Sequence, residues 1–247
     1  MTASADIRET LVYVAITIVT CVILQAATIV IHEFVHSTAA WLLGYMPSAT
    51  SIVWGNPVTM RGWDEGVPYD QLFPSTGNPA QAAIGGSPLI FHTIVVTAGL
   101  LLLQRPWMTE RKWLFHILYW FVIINLMELI SYIVMRPFAP GGDTFHINHG
   151  LAISPWILFV AGTLLIAVAL YVLFTKVLPL LSDVIAPGNP LTFWAIVVMS
   201  AFILFLWGSG MRAMSMYPDP QWMFGLIGVA AFVLVLLTGN QYRHAGR

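Results

Sequence analysis

Six long apolar stretches divide the chain, and shorter polar connections separate them. The stretches cover residues 11–43, 82–103, 113–135, 155–174, 191–211 and 221–237. Each is near or above the roughly 20 residues that a helix needs to cross a bilayer core. Because backbone groups in lipid need partners within their own segment, these stretches are expected to be helices. The pattern predicts an all-α polytopic membrane protein with about six transmembrane helices.

The first stretch and the connection after it depart from a simple helical pattern. The stretch has 33 residues, so its helix must tilt or its last turns must leave the hydrocarbon. Within the connection, SIVWGNPVTM (51–60) alternates around a Gly55-Asn56-Pro57 turn, a pattern typical of a short β-hairpin. Its aromatic residues are equally typical of a loop at the membrane interface. The sequence therefore predicts a small β-hairpin or an interfacial loop after the first helix.

Composition supports the membrane assignment and excludes several other classes. Hydrophobic residues make up 58% of the 247 residues and charged residues 9%, against about 25% charged residues in a soluble domain. The net charge is −1 and there is no basic run, so no nucleic-acid partner is expected. Cys21 is the single cysteine, which excludes an internal disulfide and a four-cysteine zinc site. The expected location is a lipid bilayer, with the chain crossing it several times.

The basic residues suggest an orientation. Six spans put both termini on one side, which carries seven lysines and arginines against three on the other. This excess favours cytoplasmic termini. The two sets are Arg8, Arg105, Arg111, Lys112, Lys176, Arg243 and Arg247, and Arg61, Arg136 and Arg212.

The first apolar stretch contains the sequence His32-Glu33-Phe34-Val35-His36, which has the pattern H-E-x-x-H. On a helix, His32 and His36 lie on one face, one turn apart. Two imidazoles so placed can bind one zinc ion, and the adjacent Glu33 can act as the general base toward water on that ion. Since an ionisable group at membrane depth is costly, this cluster is a functional hypothesis by default.

Residues 32–44, HEFVHSTAAWLLG, resemble the signature helix of the site-2 protease family of intramembrane zinc metalloproteases. That signature has a small residue four positions after the motif, which Ala40 matches. It then has a Leu-Gly pair, which Leu43-Gly44 matches. Residues 85–89, GGSPL, resemble the small-Gly-Pro-Leu segment that opens the family's next helix. The likeness covers about residues 1–150 and implies a metalloprotease-like core of three transmembrane helices. Residues 151–247 add three further helices of unknown role.

The third zinc ligand has two candidates. The resemblance implies an aspartate from a motif of the form Asn-x-x-Pro…Asp-Gly, and Asn125 and Asp143 are the matching residues. Asp143 follows Gly141-Gly142, where the backbone can bend sharply. Glu128 stands where the motif has proline, and a glutamate from a later helix is the third ligand in another class of zincins. Asp143 is the preferred ligand, with Glu128 as the rival.

Other polar residues are expected at the same depth in the membrane. His92, Asn125 and Glu128 are placed by their spacing in the second and third spans, where they can orient a ligand or hold substrate backbone. His146 and His149 flank Asp143, as further site residues or as loop residues. His116 falls near the opposite interface and is not expected in the site.

These residues favour a zinc metalloendopeptidase that hydrolyses peptide bonds of membrane-spanning or membrane-adjacent substrates. The alternatives are a non-proteolytic metal-binding membrane subunit and a transporter or small-molecule metalloenzyme. The resemblance implies a site that faces the cytosol, whereas the count of basic residues puts it on the outer face. The sequence leaves the membrane face, the substrate and the oligomeric state open.

Overall fold

The computed structural model describes residues 3–56, 62–185, 187–211, 214 and 221–244. Nearly all of its regular structure is helical, as the run of apolar stretches predicts. The helices are α1 (Ala3–Leu42), α2 (Tyr69–Leu72), α3 (Pro79–Leu103), α4 (Pro106–Thr109), α5 (Lys112–Leu129), α6 (Asp143–Leu151), α7 (Pro155–Val172), α8 (Leu178–Ile185), α9 (Pro190–Ala201) and α10 (Phe224–His244). Three π-helical segments extend α5, α7 and α9, namely Ile130–Val134, Leu173–Val177 and Phe202–Gly210.

Six helical segments of the described chain are long and apolar enough to cross a membrane. They are Asp6–Leu42, Pro79–Leu103, Lys112–Val134, Pro155–Ile185, Pro190–Gly208 and Phe224–Gln241. Their outer faces carry large apolar side chains such as Leu164, Val168 and Leu237, with exposures of 65%, 63% and 78%. Apolar surface of this extent is suited to lipid and not to water. The predicted all-α architecture, with about six helices long and apolar enough to cross a membrane, is confirmed.

The fourth span is longer than the sequence pattern indicates. The apolar pattern predicts an end at residue 174, but the helical segment continues to Ile185. Pro179 lies inside this continuation and has no N–H to donate to the preceding turn. The π-helical segment Leu173–Val177 comes directly before it. Its wider turn accommodates the proline, so the helix continues past it.

The connection between α1 and α3 contains the short helix α2 and an isolated antiparallel bridge between Val53 and Asp64. No strand is present in the described part of this connection. A β-hairpin is therefore not seen there, and residues 57–61, which include the predicted turn residue Pro57, lie outside the described part. Apart from α2, the described part of the connection is a loop. Val53 and Asp64 stabilise it through two backbone hydrogen bonds, of 2.8 and 3.3 Å.

The third span is the central helix of the bundle. α5 contacts α1, α3 and the π-helical end of the fifth span, and its large side chains Phe115, Tyr119 and Trp120 are fully buried. One hydrophobic core joins residues from both predicted halves of the chain, from Tyr13 to Val235. The first three spans therefore pack against the later helices as one bundle.

Candidate metal centre

The two histidines of the H-E-x-x-H motif face one carboxylate. In α1 the His32 and His36 rings lie one turn apart, with centroids 4.9 Å apart. Nε2 of His32 is 3.2 Å from Oδ2 of Asp143, and Nε2 of His36 is 3.4 Å from Oδ1. All three residues are buried, with exposures of 4%, 1% and 6%. The structure thus brings together the two histidines and the preferred third ligand.

Asp143 reaches this position because α6 lies very close to α3. Gly142 precedes it with φ of 84°, a conformation that favours glycine. A Cβ added at Gly85 would lie 2.5 Å from the Cβ of His146, so a larger residue there would push α6 away. At the other end of the contact, a Cβ at Gly150 would lie 2.5 Å from the backbone nitrogen of Ala82. The Gly-Gly-Ser-Pro-Leu segment therefore helps to set the position of Asp143.

Hydrogen bonds also join the start of α6 to the end of the third span. The Thr144 hydroxyl donates to the carbonyl of Arg136 at 2.8 Å, and the Asn148 amide donates to that of Pro137 at 3.3 Å. Both side chains are buried. Asp143 is thus the first residue of a helix fixed on two sides, which lowers the entropy lost when its carboxylate binds a ligand.

The tautomer of His36 follows from its second nitrogen. Nδ1 is 2.8 Å from the carbonyl oxygen of Ile84, which can only accept a hydrogen bond. Nδ1 therefore carries the proton. In the neutral imidazole, Nε2 then presents a lone pair toward Asp143. A histidine that donates one N–H to a backbone carbonyl while its other nitrogen faces an acidic group has the arrangement of a metal ligand.

The tautomer of His32 follows from a longer chain of hydrogen bonds. Nδ2 of Asn125 donates a hydrogen bond of 2.8 Å to the carbonyl of Phe121. The other amide atom of Asn125, Oδ1, is therefore the one that lies 2.7 Å from Nδ1 of His92, and it accepts a hydrogen bond there. His92 therefore donates from Nδ1 and accepts at Nε2, which is 3.0 Å from Nδ1 of His32. His32 is left with a lone pair on Nε2, directed at Asp143. His92 and Asn125 both lie in the interior with 0% exposure.

When both histidines are neutral, three electron-pair donors meet in this buried space. Such an arrangement is costly away from water, and either a proton on a histidine or a bound cation removes the cost. The separations of 3.2 and 3.4 Å match the edge of a zinc tetrahedron, about 3.3 Å for ligand distances near 2.0–2.1 Å. Oδ2 of Asp143 makes no hydrogen bond. The residues present therefore fit a zinc ion.

The charge state of Asp143 agrees with a role as a ligand. Burial raises the pKa of its carboxyl, but His36 and His32, when they carry a proton on Nε2, outweigh burial and hold the pKa well below its ordinary value. A cation that binds takes the place of that proton. The carboxyl is therefore ionised at neutral pH. Since metal ligands must be deprotonated to bind, Asp143 needs no proton release before it coordinates a cation.

An aromatic residue covers the site on the side of the third span. The Tyr132 ring stacks on His32 with centroids 5.3 Å apart, and its hydroxyl is 3.4 Å from Nε2 of His32. The guanidinium of Arg136 lies 3.8 Å from the centroid of the Tyr132 ring, on its face. The sequence pattern did not mark Arg136 as a site residue, because Arg136 lies two residues past Val134, where the π-helical segment ends.

Glu33 is half-buried beside these ligands. Its carboxylate, a ring nitrogen of His36 and the carboxylate of Glu65 all lie within 4.8 Å of one another. Glu33 is therefore close enough to act on water or substrate at a metal held by His36. Glu65 comes from the connection after α1, and nothing in its sequence context marked it as a site residue.

The rival ligand Glu128 lies elsewhere in the interior. Its Oε1 accepts a hydrogen bond of 2.8 Å from the Gln25 amide. Among the described residues, the groups of three or more potential metal ligands do not include Glu128. The geometry therefore favours Asp143 over Glu128 as the third ligand.

The remaining histidines bind other side chains. Gln81 in α3 donates from Nε2 to Nδ1 of His146 and accepts at Oε1 from Nδ1 of His149, at 3.0 and 2.7 Å. Burial lowers the pKa of His146 to about 4, so its ring is neutral at pH 7. His116 is hydrogen-bonded to Tyr13 and Thr20. These three histidines stabilise helix contacts and lie outside the group of ligands.

Replacement of His92 by alanine is expected to weaken metal binding by about 10- to 100-fold, because it removes the acceptor that fixes the tautomer of His32. The measurement is competition with a chromogenic zinc chelator in detergent. His116→Ala is the matched control, since His116 is an equally buried, hydrogen-bonded histidine of the same bundle. Equal affinities in the two variants would contradict the hydrogen-bond chain.

No family model matches the chain, and neither a curated protein nor a solved structure matches it. The interpretation of this centre therefore rests on its own residues and geometry.

Proposed function

We propose that the chain is a zinc-dependent endopeptidase that hydrolyses peptide bonds of membrane-spanning or membrane-adjacent substrates. One observation carries the proposal. Two buried imidazoles, with tautomers set by hydrogen bonds, and the carboxylate of Asp143 converge beside Glu33. Three protein ligands with an acidic residue next to them are typical of a catalytic zinc site, which keeps a fourth position open.

Each residue has a distinct part in this chemistry. His32, His36 and Asp143 would hold the ion, and a bound zinc ion would polarise the peptide carbonyl and make water acidic enough to ionise near pH 7. Glu33 accepts the proton of the attacking water and later delivers it to the leaving amine. Tyr132, with its hydroxyl 3.4 Å from Nε2 of His32, is placed to donate a hydrogen bond to the substrate oxygen.

A substrate has to be unwound near the cleaved bond, because a helix hides its carbonyls. A cleft of about 430 Å³ is lined by residues 67–71 of the connection and, around the start of α6, by Pro140, Gly141, Phe145 and His146. Asp143 lies between the lining residues Gly141 and Phe145 in the chain, so an extended peptide in this cleft would run along the segment that carries Asp143. The wall residues Tyr69 and His146 stack on each other with centroids 3.6 Å apart.

Cleavage in a reconstituted system tests the proposal. The purified protein is mixed in liposomes with a set of single-span peptides, and products are identified by mass spectrometry. The expected result is cleavage within or next to a span that stops with a zinc chelator and returns with added zinc. Full zinc occupancy without cleavage of any peptide would instead favour a metal-binding subunit with no protease activity.

A further inference from the structure

Glu65 is held next to Glu33 by a loop whose backbone is fixed by hydrogen bonds. The neighbouring Asp64 pairs with Val53 through two backbone hydrogen bonds, and its side chain accepts a further one, 2.7 Å long, from the nitrogen of Gly66. Gly66 has φ of 70°, and a Cβ there would lie 2.7 Å from the carbonyl oxygen of Ser51. Only glycine fits this position. The backbone on both sides of Glu65 is therefore fixed.

Aromatic contacts attach the same loop to α1. The Trp54 ring packs edge-on against Phe34, the neighbour of Glu33, with centroids 6.2 Å apart. Trp54 also packs against Trp63, at 5.3 Å. Trp63 precedes Glu65 by two residues. The contacts of Trp54 with Phe34 and Trp63 therefore join α1 to the loop segment that carries the Glu65 carboxylate. Aromatic rings next to carboxylates are suited to bind a cation.

The side chains around His36 are acidic. The carboxylates of Glu33 and Glu65 and a ring nitrogen of His36 lie within 4.8 Å of one another. Oδ1 of Asp143 is 3.4 Å from Nε2 of the same histidine. A zinc ion would offset part of this negative charge, and a cationic group of a bound substrate would be attracted to the carboxylate that the loop adds.

The substrate cleft begins two residues after Glu65. Its loop wall is formed by residues 67–71, and Asp70 on that wall adds another carboxylate. The connection that carries both has Arg61 as its single basic residue, outside the described part. A peptide that runs through the cleft to the metal would meet Glu65 beside the reacting bond.

We propose that Glu65 selects substrates with a positive charge next to the cleaved bond, either a lysine or arginine side chain or a free α-amino group. The inference rests on the proposed function, because it names the class of substrate for that same site. Basic residues are frequent at the ends of membrane spans, so substrates of this kind are available to a site near the membrane surface.

The test compares peptides that differ in one charge. A single-span peptide is made with lysine, with norleucine and with glutamate at one position near the cleaved bond, and with a free or acetylated N-terminus. Wild type is expected to cleave the lysine or free-amine peptide about tenfold faster than its neutral partner. Glu65→Gln is expected to lose this preference, and Glu65→Lys to reverse it toward glutamate. Glu110→Gln, at an exposed site on the far side of the bundle, is expected to keep it.

A measurement of peptide binding distinguishes failure of this inference from failure of the protease proposal. Fluorescence anisotropy measures the same labelled peptides on zinc-loaded Glu33→Gln and on Glu33→Gln/Glu65→Gln. A lysine preference that disappears with Glu65 supports the charge-selective site even if no peptide is ever cleaved. Cleavage and binding that are indifferent to the charge would overturn it and leave the protease proposal intact.

Discussion

Replacement of Glu33 by glutamine is expected to lower the rate of peptide cleavage by about 10² to 10⁴-fold and to leave zinc content unchanged. Glutamine keeps the size of the side chain but cannot accept the proton of the attacking water, and general acid–base catalysis is worth about that factor. Glu33 is half-buried next to His36 and is not one of the three converging ligands. Activity and metal binding should therefore separate in this variant.

The measurement pairs the liposome cleavage assay with elemental analysis of the same sample. Glu128→Gln is the matched control, because it makes the same chemical change at a glutamate that is bonded to Gln25 and lies outside the group of ligands. Cleavage by Glu33→Gln at the wild-type rate would show that another residue moves the proton. Loss of zinc from this variant would show that Glu33 is a ligand.

The second large effect is expected at Asp143. Asp143→Ala should reduce zinc from about one ion per chain to a small fraction of that, because it removes one of three protein ligands. Glu128→Ala should keep zinc at the wild-type level. The comparison decides between the two candidates for the third ligand.

Loss of zinc from Asp143→Ala has meaning only if the helices remain in place. Asp143 is the first residue of α6, where a carboxylate also stabilises the helix. Asp143→Asn keeps the shape of the side chain but lacks its charge and has an NH2 donor in place of one acceptor oxygen. Circular dichroism with thermal unfolding reports whether the fold survives. A folded Asp143→Asn that still binds one zinc tightly would exclude Asp143 as an anionic ligand.

The spans and the motif helix could be predicted from the sequence because local rules determine them. Lipid-crossing segments need long apolar runs, and the spacing of His32 and His36 puts both on one helix face. Gly142 adopts the left-handed conformation that the Gly-Gly pair before Asp143 made possible. The spacing of His92 within the second span predicted it at the depth of His36, and the structure joins His92 and Asn125 to His32 through hydrogen bonds.

Other features depend on contacts between distant residues, which a sequence pattern does not contain. The continuation of the fourth span past Pro179 requires a π-helical segment that no propensity rule predicts. Glu65 reaches Glu33 because a loop of irregular backbone packs on α1 through Trp54 and Phe34. The order of donors and acceptors from Asn125 to His32 follows only from interatomic distances.

The central claim is that His32, His36 and Asp143 hold one zinc ion. X-ray absorption at the zinc edge, on wild type loaded with one equivalent, tests it most directly. The expected spectrum shows only nitrogen and oxygen ligands near 2.0–2.1 Å, with the outer-shell scattering of two imidazoles, and one imidazole fewer in His36→Ala. Zinc that stays hexahydrated, or that shows no imidazole scattering, would contradict the claim.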